Sequence, residues 1–266
     1  MPITVETCVA QHIGDRQEQQ DRVALIPHPS RQGTLLAVLA DGMGGHTGGA
    51  MAAEQVLHKA RQNFGSFMSS ESPRDMLQGV INESHIVIKL TRFTSEQDPH
   101  STAAVLLLQP DRIDWAYCGD SRVYHFRGSE MVSCSEDHSY VNHLVKHGKI
   151  KPEEAHGHPQ RNVLMGCLGS DRAPVIDFGE TAPPKPSDIF LLCSDGLWGH
   201  FKDHELGEVL SANAPRQAAE ILIHRARVRG YGGGDNISLV IIKLSNKLPA
   251  KSPRPAKPVR HTPAGF

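Results

Sequence analysis

The chain has 266 residues, 28 Lys and Arg against 29 Asp and Glu, a formal net charge of −1 and 39% hydrophobic residues. That length fits one large domain or two small ones with ample core, and without the five cations of the last twenty residues the remainder carries −1 − 5 = −6, a mildly acidic body that argues against a nucleic-acid groove. Five cysteines without a C-x-x-C pair argue against a disulfide framework or zinc ribbon, and no apolar run is long enough to span a bilayer. With a start that lacks signal-peptide regions, a cytoplasmic protein with no membrane span is expected.

In chain order, residues 3–10 and 22–26 read as short strands on either side of a polar run that contains Arg16. Residues 34–40 form a buried strand, followed by a Gly-rich turn and a helix over about 48–64. A second helix over about 73–92 carries Met76, Leu77, Val80, Ile81 and Ile88 at helical spacing. Strands follow at 101–108 and 112–118, and 122–126 is expected to pair with the latter as a hairpin through the Gly119–Ser121 bend. The polar, His-rich stretch 133–172, with a short helix near 138–147, reads as a surface flap. Strands resume at 174–179 and 188–193, helices at 203–211 and 215–228, and the strand 236–243 closes the fold. Residues 1–245 are thus expected as one domain. Residues 246–266, with five Lys and Arg among prolines and no acid, read as a disordered or extended tail. Strands with helices grouped in pairs favour an α+β fold with sheets stacked between helix layers.

Four aspartates end or open apolar runs beside turn residues: Asp41, Asp120, Asp195 and Asp235. An Asp-Gly pair after a strand is a common turn, because Asp caps its own backbone and Gly accepts positive φ. Several such carboxylates brought together make instead a cage of hard oxygen ligands, suited to Mg²⁺ or Mn²⁺. The glycines after Asp41 match neither the P-loop, since no Gly-Lys-Ser/Thr follows, nor the dinucleotide fingerprint, since Thr47 stands in place of the third glycine. Arg16 could suit two phosphate oxygens if it faced such a cage, or be an ordinary surface arginine.

Taken in order, Arg16-Gln-Glu-Gln-Gln-Asp21, Asp41-Gly-Met-Gly-Gly45, Ser101-Thr102, Cys118-Gly-Asp-Ser-Arg122, Ser194-Asp-Gly196 and Gly234-Asp-Asn236 resemble the metal-dependent Ser/Thr protein phosphatases. These form the PPM, or type 2C, family, and the match is to its compact bacterial members. The resemblance spans about 3–244. It implies a four-layer α-β-β-α sandwich, two mainly antiparallel sheets flanked by helix pairs, with two or three Mn²⁺ or Mg²⁺ ions in a cleft at one end. By the same resemblance Asp41 would bridge two ions and the Gly42 carbonyl would bind one. Asp195 and Asp235 would complete the first site, Gln20 and Asp21 would hold the second through water, and Asp120 with Asp195 would make a weaker third. Arg16 would bind phosphate.

The activity implied is hydrolysis of phosphoserine and phosphothreonine in proteins by a metal-activated water, by a monomer that opposes a bacterial Ser/Thr kinase and its substrates. Two positions depart from the family pattern. Gln19 stands where Asn is usual, and His100 replaces a small residue. The rival reading, a non-catalytic binding module, would be marked by loss of the carboxylates, and all four are retained.

Overall fold

The computed structural model describes residues 3–44, 48–92, 97–155 and 157–246. The second half of the Gly-rich turn after Asp41 and the basic tail from Lys247 lie outside them. The elements run β1 (Thr4–His12), β2 (Arg22–Pro27), β3 (Leu35–Ala40), β4 (Gly42–Met43), α1 (Gly48–Ser66), α2 (Pro73–Thr91), β5 (His100–Ser101), β6 (Ala103–Leu108), β7 (Ile113–Cys118), β8 (Arg122–Arg127) and β9 (Glu130–Cys134). Then come α3 (Tyr140–Lys146), α4 (Pro152–Ala155), β10 (Asp177–Thr181), β11 (Asp188–Cys193), α5 (Asp195–Trp198), α6 (Asp203–Ala212), α7 (Pro215–Gly230) and β12 (Ile237–Ser245). No helix among the described residues is long and apolar enough to cross a membrane.

Two five-stranded sheets, ordered β1-β12-β11-β8-β9 and β10-β7-β6-β3-β2, pair antiparallel throughout. The strands β3 and β6 are apolar at every position, and β11 at every position after Asp188, because both faces are covered. On β3, Leu36, Val38 and Ala40 face α1 and α2, whereas Ala37 and Leu39 face the other sheet. On β11, Ile189, Leu191 and Cys193 pack towards α6 and α7, and Phe190 and Leu192 point between the sheets. The strand period of two therefore feeds three apolar layers from two sheets, which gives the α-β-β-α sandwich. The helix α2 starts where Ser72 accepts the Asp75 N–H at 3.3 Å and Pro73 takes the first turn, a cap and a residue suited to those positions.

The expected hairpin at Gly119–Ser121 does not form. The strands β7 and β8 lie in different sheets, β7 between β6 and β10 and β8 between β11 and β9. The bend is a crossing from one layer to the other, and Gly119 makes it possible. Its φ is +112°, and a Cβ there would lie 2.6 Å from Thr102 Cγ2. Gly119→Ala is expected to cost about 2 kcal/mol, read as a lower thermal midpoint; an unchanged midpoint would show that the crossing tolerates a side chain.

The run 101–108 also splits. Thr102 leaves the ladder because its amide donates to the Asp41 carbonyl at 2.9 Å, so β5 pairs with β4 and β6 with β3 and β7. A strand not expected from the sequence, β9, runs into the first two residues of the expected polar stretch; its Met131 and Val132, just before that stretch, are exposed. Beyond it, α3 lies where a short helix is expected, and a further turn of helix, α4, follows.

Candidate metal centre

The aspartates sit where strands of both sheets end at one edge of the sandwich. Asp41 follows β3 and Asp21 precedes β2 in one sheet; Asp195 follows β11 and Asp235 precedes β12 in the other. Asp120 lies on the crossing between them. A cleft of about 560 Å³ opens at this edge, lined by Arg16, Glu18, Gln20, Asp41, Gly42, Met43, Asp235 and Asn236 among others.

The backbone of Asp41 is fixed on both sides. Its amide donates to Thr102 Oγ1 at 3.0 Å, and its carbonyl accepts from the Thr102 amide at 2.9 Å and from Ser101 Oγ at 3.1 Å. Gly42 follows where no side chain fits: a Cβ there would lie 2.0 Å from the Gly49 carbonyl oxygen. The close approach of β4 to the start of α1 thus requires glycine beside Asp41.

Electrostatically the site is unbalanced. Burial, then the neighbouring Asp21, Asp195, Asp120 and Asp235, push the Asp41 carboxyl well above its ordinary range. Burial pushes Asp120 up to about 8, with Asp195 adding to it, and Asp195 up to about 6, with Asp235 adding to it. Asp21 is pushed up to about 7 by burial, although the Ser238 and Ser194 hydroxyls favour its charge; Ser194 Oγ donates to Oδ2 at 2.9 Å. Arg16 meets Asp235, Nη2 to Oδ2 at 2.6 Å, with both side chains partly exposed. Among the described residues, no three His, Cys, Asp or Glu side chains close into a preassembled coordination sphere. Carboxylates crowded in a low-dielectric cleft repel one another unless they take up protons, and a bound cation would draw them together as anions.

The donors are all hard oxygens and their charges are under-compensated, so the residues present fit Mg²⁺ or Mn²⁺ better than zinc. Asp41, Asp195 and Asp235 could reach a shared ion from the two sheets. Asp21 spends its carboxylate on hydroxyls, which suits contact through water.

Sequence reasoning assigns no role to the residues that hold this arrangement. Asn236 ties the loop before β2 to the site: Oδ1 accepts the Gln20 amide at 2.8 Å, and Nδ2 donates to the carbonyls of Ile13 at 2.9 Å and Glu18 at 3.0 Å. Arg122 grips Asp137 through two 2.8 Å bonds and lies 3.6 Å over the Trp198 ring, whose Nε1 donates to the Asp120 carbonyl at 2.9 Å. Their only signal in the sequence is adjacency to an aspartate. Gln19 turns its amide to backbone, donating to the His12 carbonyl and accepting the Asp21 amide.

The family profile described as Protein phosphatase 2C matches residues 9–222. The serine/threonine phosphatase stp of Listeria innocua is 31% identical over 235 residues, covering 86% of this chain and 91% of that protein. The solved structure of the Streptococcus agalactiae serine/threonine phosphatase superposes with a TM-score of 0.83 at 28% identity, covering 90% of this chain and 99% of that one. The catalytic domain of the serine/threonine protein phosphatase PstP, solved in complex with two manganese ions, superposes with a TM-score of 0.76 at 26% identity over 92% of this chain and 100% of that one.

Proposed function

Because this chain belongs to the protein phosphatase 2C family and is a protein-serine/threonine phosphatase, we propose that its chemistry is carried by Asp41, Asp195, Asp235, Asp21, Asp120, the Gly42 carbonyl and Arg16. The observation that carries the assignment is five aspartates where strands of both sheets end or cross, four of which (Asp21, Asp41, Asp120 and Asp195) are disfavoured as anions, beside a cleft that also presents one guanidinium.

Asp41, Asp195, Asp235 and the Gly42 carbonyl would hold two Mn²⁺ or Mg²⁺ ions. Asp21 and Gln20 would do so through water, and Asp120 with Asp195 would take a third, weaker ion. When bound, such ions lower the pKa of a water nucleophile and offset charge on the phosphoryl oxygens. Arg16 commits Nη2 to Asp235, and the rest of its planar fork suits an incoming phosphate oxygen. Neither Cys118 nor Cys193 can serve as nucleophile, since both are buried and burial pushes both thiols up. The segment 133–172 is the flap that would select substrates. These would be phosphorylated proteins, including a Ser/Thr kinase that the enzyme opposes and that kinase's targets, with the chain acting as a monomer.

The test is turnover of p-nitrophenyl phosphate and a phosphothreonine peptide in chelator, Mg²⁺ or Mn²⁺. Activity that appears only with metal supports the reading, and equal activity in chelator would sink it. In the same assay Arg16→Ala should lower kcat/KM about fiftyfold, the size of one lost charge-assisted hydrogen bond of about 2–3 kcal/mol. A loss under threefold would leave Arg16 as a structural partner of Asp235 alone.

A further inference from the structure

The residues immediately before Arg16 and Asp235 are joined to each other. The Asp15 amide donates to the Gly234 carbonyl at 2.9 Å, and the Gly234 amide donates back to Asp15 Oδ2 at 2.9 Å. The other carboxylate oxygen, Oδ1, accepts from Arg227 Nη2 of α7 at 3.3 Å. Asp15 thus spends both oxygens on holding the loop between β1 and β2 against the loop before β12 and against a helix. Its side chain is 28% exposed, against 61% for that of Arg16.

The two loops also meet at Gly14. Its φ is +68°, and a Cβ there would lie 2.0 Å from the Asp235 carbonyl oxygen. With Asn236 Nδ2 on the Ile13 carbonyl, the backbone from Ile13 to Asp15 is seated along Gly234–Asn236. Arg16 itself is held more lightly. Among the described residues its guanidinium bonds to Asp235 alone, at the end of a long side chain. Any freedom left at the root of that chain must be lost when the guanidinium takes a phosphate oxygen. Asp15 removes that freedom in advance. Its pairing with Arg227 also offsets the negative charge that Asp15, a lining residue of the cleft, would otherwise present to a phosphate.

We propose that Asp15 is a positioning residue for the phosphatase reaction: held by Arg227, it fixes the Arg16 backbone to the Asp235 loop so that the guanidinium stands ready for the phosphoryl group. Its carboxylate, taken up by Gly234 and Arg227, serves as a ligand of neither phosphate nor ion. This role rests on the reading of Arg16 as the phosphate-binding side chain, and the test separates the two.

The probe is inorganic phosphate, titrated by calorimetry into protein saturated with Mn²⁺, beside kcat and KM for p-nitrophenyl phosphate. Asp15→Ala should weaken phosphate binding and raise KM about tenfold, the worth of one part-buried hydrogen bond, with kcat within about threefold of the parent. Asp15→Asn keeps an acceptor for the Gly234 amide and should lose about threefold. In a protein that already carries Arg16→Ala, adding Asp15→Ala should change phosphate affinity less than about twofold, since nothing is left to position. Exchange of the Gly234 amide should quicken in Asp15→Ala and stay unchanged in Arg16→Ala. Parent-like phosphate affinity in Asp15→Ala, tighter binding in Asp15→Asn, or an undiminished loss from Asp15→Ala in the absence of Arg16 overturns the proposal. An Arg16→Ala protein that binds phosphate as the parent does removes the reading of Arg16 first, and the positioning role with it.

Discussion

Asp41→Asn, assayed with p-nitrophenyl phosphate in saturating Mn²⁺, is expected to lose at least about 10³-fold in kcat/KM, roughly 4 kcal/mol of transition-state stabilisation. The side chain keeps its shape, and the three hydrogen bonds that fix residue 41 all run through its backbone. The fold therefore stays and only the charge goes. That charge is disfavoured by burial and by four other carboxylates. Removing it should raise the thermal midpoint in chelator even as it removes activity, the opposition of stability and function common at charged sites. Activity within tenfold of the parent would exclude Asp41 as the bridging ligand.

The second large effect is on stability against pH. In the folded chain Asp21, Asp120 and Asp195 stand at about 7, 8 and 6, whereas an unfolded aspartate titrates near 4. The folded state therefore binds more protons than the unfolded state between those limits, and stability falls as pH rises through that window. His100, held at about 9, adds to the fall above its ordinary range, while His85 and His125, lowered mainly by burial, oppose it near pH 6. The aspartates are isolated by metal, because bound cations offset their charge and the histidines are indifferent to it. In chelator the thermal midpoint should be roughly 5 °C lower at pH 8 than at pH 6, and saturating Mn²⁺ should abolish or reverse that difference. Parallel pH profiles with and without metal would show that the aspartates do not meet the ion.

The carboxylates were legible in the sequence because each stands beside a long apolar run, and a strand buried on both faces writes itself as such a run. Asp41 after Leu35–Ala40 and Asp195 after Asp188–Cys193 are the plainest cases. What remained hidden depends on which layer a strand joins. Two apolar runs joined by Cys118-Gly-Asp-Ser-Arg122 look the same whether they pair or part, since both strands are buried in either case. The short strands Gly42–Met43 and His100–Ser101 carry no period to detect. The supports Asn236, Ser194 and Arg122 act through partners as many as 223 residues away along the chain, a relation no local pattern encodes.

The crossing at Gly119–Ser121 sets how the molecule bears load. Asp21 and Asp41 hang from one sheet, Asp195 and Asp235 from the other, and between those sheets lies an apolar layer such as Leu39, Leu106, Phe190 and Val240. That layer is packed and holds the sheets together away from the edge, whereas at the edge itself the facing carboxylates repel one another. An ion gripped from both sides would act as a rivet there, joining the strand ends of one sheet to those of the other. Amide exchange near the ends of β3 and β11 should therefore slow together when metal binds, in strands that share no hydrogen bond.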